Sequence, residues 1–306
     1  MLNHFIQSFA VVAPLMVLLA MGYFFRRKNW MDPGFVSVGN RLVFHLLLPS
    51  LLFLATATRP VTQNEDLPLA VFAVCGTVLM ALFVWLAAPL LVDREKRGAF
   101  TQSGFRSNMG LIGLALCINA YGEDIVGRAG IFIASMIVTV NVLSILVLTS
   151  NRRHIWRNQV RNPILIAVLA GLAWQKLGIG MPALMESVLG YLAGMALPLA
   201  LLCIGASIDL KKLHPEHTDV VWASAIKLVI FPAAITAAAA VWGFRGVDLG
   251  ILFLMTGAPT AAVAFVMARE MTPHGDLAAE SIAMSTLVSP LTITLGLTIL
   301  SSLGLI

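Results

Sequence analysis

Gly104-Phe-Arg-Ser-Asn-Met-Gly-Leu-Ile-Gly113 and Thr256-Gly-Ala-Pro-Thr260 lie inside two long apolar stretches, and each interrupts the helix that its neighbours would form. Asn108 is surrounded by three glycines, which cost helix stability and permit unwinding. Asn is a strong N-cap residue, so Asn108 is expected to start a second half-helix with the amides of Met109, Gly110 and Leu111 exposed. Pro259 has no amide and cannot bond the carbonyl of Met255; placed in a first helical turn, it would be capped by Thr256 or Gly257. Two half-helix N-termini that face one another favour an anion between them. The plainer alternative is a tight helix crossing, since Gly and Pro are frequent in membrane spans.

Around these breaks the chain reads as a membrane protein throughout. Of its 306 residues 59% are hydrophobic and 11% charged, and the mean hydropathy is +0.90, which leaves little for a soluble domain. A bilayer core about 30 Å thick needs roughly 20 apolar residues per helix. Ten stretches meet or approach that length: 5–25, 35–58, 67–92, 99–121, 125–149, 163–177, 184–208, 219–242, 249–268 and 279–303, the sixth being short. The ten-residue alternation of an outer-membrane barrel is absent, so the expectation is an all-α integral membrane protein with ten transmembrane helices.

The two halves repeat. Pro14 and Pro163, Gly22 and Gly171, and Pro49 and Pro198 share one separation of 149 residues. Weaker matches follow as the register drifts: Asp66 with Asp219, Asn108 with Pro259, Gly122-Glu-Asp with Gly275-Asp276. Residues 1–150 and 163–306 are therefore expected to be two five-helix repeats, joined by a basic cytoplasmic linker over 151–162. Five is odd, so the second repeat enters the membrane from the opposite side, a binding site is expected near the midplane, and the interrupted spans four and nine occupy equivalent positions in the two repeats. Positive residues agree on orientation. Arg26, Arg27, Lys28, Arg94, Lys96, Arg97, Arg152, Arg153, Arg157, Arg161, Lys211, Lys212 and Arg269 fall on one side, against Arg59, Arg128, Lys176 and Arg245 on the other. Both termini are thus expected on the non-cytoplasmic side. The net charge of +5 is topology, not a nucleic-acid footprint. Met1 to Gln7 lacks a positive n-region, and no cleavable signal is expected.

Ionisable groups in the spans mark further candidates, because each costs at least roughly 2.5–3.5 kcal/mol at a helix centre. Lys227 is either a counter-ion or a side chain that snorkels to the interface. Arg106 draws an anion toward the break or anchors at the interface. Asp209 is the best acidic candidate for coupling, with Lys211 or Lys212 as neutralising neighbours. His45 reads as a hydrogen-bonded core histidine, and Asn141 as a bridge between helices. Cys75, Cys117 and Cys203 lack CxxC spacing and read as packing residues; His214 and His217 read as a solvated loop, and no metal or cofactor is expected. No deep nucleophile and base converge, so an enzyme is not indicated.

Several segments together resemble the auxin efflux carrier family. They are Asn40-Arg-Leu-Val-Phe-His-Leu-Leu-Leu-Pro49-Ser-Leu-Leu-Phe53, Phe105-Arg-Ser-Asn108-Met-Gly-Leu-Ile-Gly113-Leu, Asn162-Pro163, Met181-Pro182, Leu197-Pro198-Leu-Ala-Leu-Leu-Cys-Ile-Gly205-Ala206, Lys227-Leu with Pro232, and Ala258-Pro259. They run in family order along nearly the whole chain. The resemblance implies ten spans in two inverted repeats, as in bile acid and sodium-proton carriers. It also implies an elevator-like transport part, a substrate site at the crossing of spans four and nine, and organic-anion substrates of the kind carried by plant auxin exporters and bacterial malonate and malate carriers. One departure is Ala115, where many members have Pro; another is the absence of the plant exporters' long central loop.

The expected function is secondary transport of small organic anions, mono- or dicarboxylates including auxin-like acids, across a bacterial inner membrane. Asn108, Met109, Gly110, Gly113, Thr256, Gly257, Pro259 and Thr260 are the expected substrate residues, with Lys227, Arg106 and Asp209 as counter-ion or coupling groups. Expected partners are the anion and the bilayer, with a homodimer as the candidate assembly. The coupling ion, H+ or Na+, stays open, as do a channel-like anion facilitator and a carrier of a neutral metabolite.

Overall fold

A computed structural model describes residues 2–58, 63–148, 162–208 and 218–306, with side chains from residue 67 onward in the second segment. In chain order the first half gives α1 (Leu2–Arg27), α2 (Pro33–Leu42), α3 (Leu48–Thr58), α4 (Gln63–Leu91), α5 (Arg97–Phe105), α6 (Leu114–Tyr121) and α7 (Val126–Leu148). The second half gives α8 (Pro163–Leu177), α9 (Ala183–Ser207), α10 (Thr218–Ala225), α11 (Phe231–Trp242), α12 (Gly246–Gly257), α13 (Val263–Met271) and α14 (Gly275–Ser302). One wide helical turn joins α2 to α3 (Val43–Leu47), another leads into α6 (Met109–Gly113), and a third joins α10 to α11 (Ile226–Ile230).

Among the described residues seven helical segments are long and apolar enough to cross a membrane: Leu2–Arg27, Pro33–Thr58, Leu67–Leu91, Glu123–Leu148, Ala183–Ser207, Thr218–Trp242 and Gly275–Ser302. Three shorter apolar helices accompany them, Met109–Tyr121, Pro163–Leu177 and Gly246–Gly257. The protein is an all-helical, multi-pass membrane protein. The short sixth stretch is the 15-residue α8, started by Asn162, whose Oδ1 accepts from the amides of Ile164 and Leu165, and by Pro163 behind it.

The outer surface is apolar where lipid would lie: Leu79, Phe83, Leu86 and Leu90 on α4, and Val241 and Trp242 on α11, are exposed. Inside, Thr56, Thr256, Thr286 and Thr294 return their hydroxyls to carbonyls four residues back, which satisfies them without a partner helix. The two interrupted helices are innermost. Every residue from Ala99 to Phe105 in α5 and from Leu249 to Gly257 in α12 is buried; a helix covered on all sides is one that other helices wrap.

Around that centre, α1 packs on α9 and α3 on α8. A Cβ on Gly22 of α1 would overlap the carbonyl oxygen of Leu202, and one on Gly171 of α8 would overlap Phe53 and Thr56. Both glycines are needed for close helix approach. Gly22 and Gly171 are 149 residues apart, and so are Phe53 and Leu202, so the two contacts pair the same positions of the two halves.

Candidate functional site at the helix crossing

Both broken segments meet in a short antiparallel crossing. After Phe105 the chain leaves the helix, with Arg106 at φ −81°, ψ 93° and Asn108 at φ −82°, ψ 61°. On the other side Ala258 is extended at φ −56°, ψ 145°. Ser107 and Thr260 form an antiparallel bridge, the single isolated one among the described residues. The Asn108 amide donates to the Pro259 carbonyl at 2.7 Å, and the Ala261 amide to the Arg106 carbonyl at 3.0 Å. Non-helical backbone inside a membrane needs such partners, because no water is there to supply them. Side chains complete the knot: Ser107 Oγ donates to the Thr256 carbonyl at 3.0 Å, Thr260 Oγ1 to that of Ser103 at 3.1 Å, and the Thr260 amide to Ser285 Oγ at 3.0 Å.

Proline here acts differently from the sequence-based expectation. Thr256 and Gly257 are the last residues of α12 and do not cap a following helix; α13 starts at Val263 with Ala262 at its N-cap. Pro259 sits between the helices, outside any helical turn, where its missing amide costs nothing and its carbonyl serves Asn108. Asn108 does hold the N-cap position of the wide turn Met109–Gly113, yet its side chain makes no capping bond. The amides of Met109, Gly110 and Leu111 thus have neither a helical acceptor nor a side-chain cap among the described residues. Ala115 lies inside α6, and the break at 106–108 stands without a proline there.

Lys227 is fully buried and does not snorkel. Its ammonium donates to the Thr256 carbonyl and lies 5.2 Å from the Phe231 ring centroid. A cation on the last carbonyls of α12 opposes the negative end of that helix dipole. Arg106, 5% exposed, turns toward α7. It donates through Nη1 to the Val140 carbonyl at 3.0 Å and Ser144 Oγ at 2.6 Å, and through Nη2 to Asn141 Oδ1 at 2.5 Å. Arg106 is therefore no interfacial anchor, and Asn141 bridges helices by holding it. Arg106 Nε is buried without a partner.

Beside the crossing is a cavity of about 150 Å³. Arg106, Ser107, Asn108, Met109, Gly110 and Leu111 form one wall, and Ala261, Ala262 and Val263 lead into α13 on another. Of the expected substrate residues, Asn108, Met109 and Gly110 line it; Gly113, Thr256, Gly257, Pro259 and Thr260 do not, and build the crossing behind it. Lys227 does not line it either. Asn141 and Asn162 do; in the sequence the first stood out as an Asn in an apolar span, the second only in the Asn162-Pro163 pair. Ala262 also borders a larger vestibule of about 810 Å³ rimmed by Asn40, Ser207, Arg269 and Asp276. On the other side a cleft of about 480 Å³ runs between Pro14 and Pro198, with Asn119, Glu123 and Glu186 at its polar end.

His45 is exposed on the wide turn Val43–Leu47, its Nδ1 3.0 Å from the Arg41 carbonyl, and is not a core histidine. Cys117 and Cys203 are buried and Cys75 is exposed on α4. Asp209, Lys211, Lys212, His214 and His217 lie outside the described residues, as does nearly all of the basic stretch 151–162.

One family model, described as membrane transport protein, matches this chain twice, over residues 7–154 and again over 149–297. The chain belongs to the auxin efflux carrier family of membrane transport proteins. Among its relatives is an uncharacterized transporter of Methanothermobacter thermautotrophicus, 25% identical over 290 residues that cover 93% of this chain and 96% of that one. A putative malonate transporter of Rhizobium meliloti is 26% identical over 302 residues, 93% of each chain. Auxin efflux carrier component 1 of Arabidopsis thaliana is 28% identical over 146 residues, 45% of this chain and 24% of the plant protein. The family is one of transporters and not of enzymes.

Proposed function

We propose that this family member is a secondary transporter of small organic anions that binds its substrate in the cavity beside the crossing. The observation that carries this reading is the meeting of unsatisfied amides at Met109 to Leu111, the Asn108 side chain and a buried guanidinium in one cavity. Donors and positive charge converge there and no carboxylate lines the wall among the described residues, so an anion is favoured. The name of the Rhizobium relative supports a carboxylate.

The architecture we infer has ten spans in two inverted five-helix repeats, residues 1–150 and 163–306, with both termini on the non-cytoplasmic side of the inner membrane. Two matches of one family model and the matched pair of glycine contacts support it. On that topology the vestibule at Arg269 opens to the cytoplasm and the cleft at Glu123 and Glu186 to the other side. Alternating access moves the part that carries the crossing against the part built from α1–α3, α8 and α9. Lys227 acts within the crossing as a built-in positive charge, the role left open for H+ or Na+ coupling.

The test is counterflow in proteoliposomes with labelled malonate, malate, lactate and indole acetate, with and without pH or sodium gradients. Saturable exchange of an anion is expected. Asn108→Ala should lower it at least tenfold while the purified protein keeps its thermal transition; wild-type rates in that variant would reject the site.

A further inference from the structure

The described lining of the cavity combines one cation, a few neutral polar groups and a majority of apolar side chains. Among the described residues Arg106 is the single charged one on its wall, and it is 5% exposed. Three of its five N–H donors, two on Nη1 and one on Nη2, go to Val140, Ser144 and Asn141 on α7, which fixes the guanidinium; of the remaining two, Nε–H is buried without a partner. A buried donor of a charged group that lacks an acceptor is costly unless a ligand supplies one. Phe44, Leu48, Ile133, Met136, Ile137 and Ile164 give the rest of the lining a largely hydrocarbon character, with Asn141 and Asn162 as neutral polar groups among them. Lys227, the other buried cation nearby, is spent on the Thr256 carbonyl behind the crossing and offers nothing to this cavity.

We propose that the substrate is a small organic monoanion: one carboxylate received by Arg106 Nε, the Asn108 side chain and the free amides of Met109 and Gly110, with a short aliphatic body against the apolar wall. A dianion would match one of its charges to Arg106 and leave the other in a largely apolar lining with no second cation among the described residues, where an unpaired charge is strongly disfavoured. Size points the same way, because a cavity of about 150 Å³ in a protein core accepts a ligand as large as benzene. A monocarboxylate of four or so carbons fits, and an indole-sized acid overfills it. A malonate-type acid enters as its singly protonated form. This inference rests on the organic-anion reading above and narrows it.

The experiment is titration calorimetry on the purified full chain with butyrate, 2-oxobutyrate, malonate and butyramide, backed by counterflow of 2-oxobutyrate, which stays ionised and leaks little. Butyrate and 2-oxobutyrate should bind at least tenfold more tightly than malonate at a pH where malonate is fully ionised. Malonate should gain at least tenfold as the pH falls through its second ionisation, while 2-oxobutyrate barely changes. Arg106→Gln should weaken both monoacids at least tenfold, and Ser144→Ala, which loosens the guanidinium without touching the ligand, should do so by a smaller factor. Malonate dianion that binds as tightly as the monoacids overturns the proposal and leaves the organic-anion reading standing. Butyramide that binds as well as butyrate removes that reading, and this inference with it.

Discussion

Lys227 shows how a single residue at the crossing can matter more for transport than for folding. Its ammonium is fully buried and bonded to a main-chain carbonyl that Ser107 Oγ also serves. Replacing it by methionine removes the cost of desolvating a charge, leaves the carbonyl with one donor and keeps the volume. Lys227→Met should therefore shift the thermal transition by no more than about 4 °C and lower counterflow at least tenfold, since the dipole of α12 at the moving crossing is then unopposed. Unchanged exchange would reduce Lys227 to a packing residue. The sequence made Lys227, Arg106 and Asn108 stand out because polar groups are rare in apolar spans. It did not separate those that line the cavity from the one behind it, because that depends on which neighbouring helix each side chain faces.

At the scale of elements, glycine in these helices has two physical roles that substitution separates. Gly22 and Gly171 lie where a neighbouring helix leaves no room for a Cβ, whereas Gly190 in α9 faces open space. Gly22→Val and Gly171→Val should each destabilise by about 1–3 kcal/mol through overpacking, and by similar amounts, as the two contacts pair equivalent positions. Gly190→Ala should stabilise by about 0.5–1 kcal/mol through helix propensity. Thermal melts of the four purified proteins in one detergent check this, and a Gly171 variant that tolerates valine would break the equivalence. Span positions and both breaks were legible because length, hydropathy, Gly and Pro report them directly. The half-helix caps were not: Pro259 suits a first helical turn and an extended segment equally well. The bonds from Asn108 and to Arg106 across the crossing decide between them, and they come from the other half of the chain.

For the whole molecule, the inferred motion requires that the part carrying the crossing slide past the part formed by α1–α3, α8 and α9. Two ion pairs among the described residues do not oppose it. Lys96 with Asp219 at 2.8 Å ties the start of α5 to α10, and Arg128 with Asp248 at 2.5 Å ties α7 to α12, both within the moving part. The contact to test is that of α3 with α7, where a Cβ on Gly130 would sit 3.4 Å from Thr56 Cγ2 and 3.5 Å from Leu52 Cδ2. Neither Thr56 nor Gly130 lines the cavity, so changing them does not remove a ligand contact. In a background with Cys75, Cys117 and Cys203 replaced by alanine, Thr56→Cys with Gly130→Cys brings two thiols within reach of a disulfide or a mercuric bridge. The reduced double variant should exchange anions at a rate near that of its background, since the Gly130 site accepts a Cβ at ordinary contact distance. Cross-linking should stop exchange while substrate binding persists, and a reductant should restore it. Exchange that continues with the bridge intact would mean that α3 and α7 need not part company. The access change would then come from movement of the half-helix ends at the crossing itself.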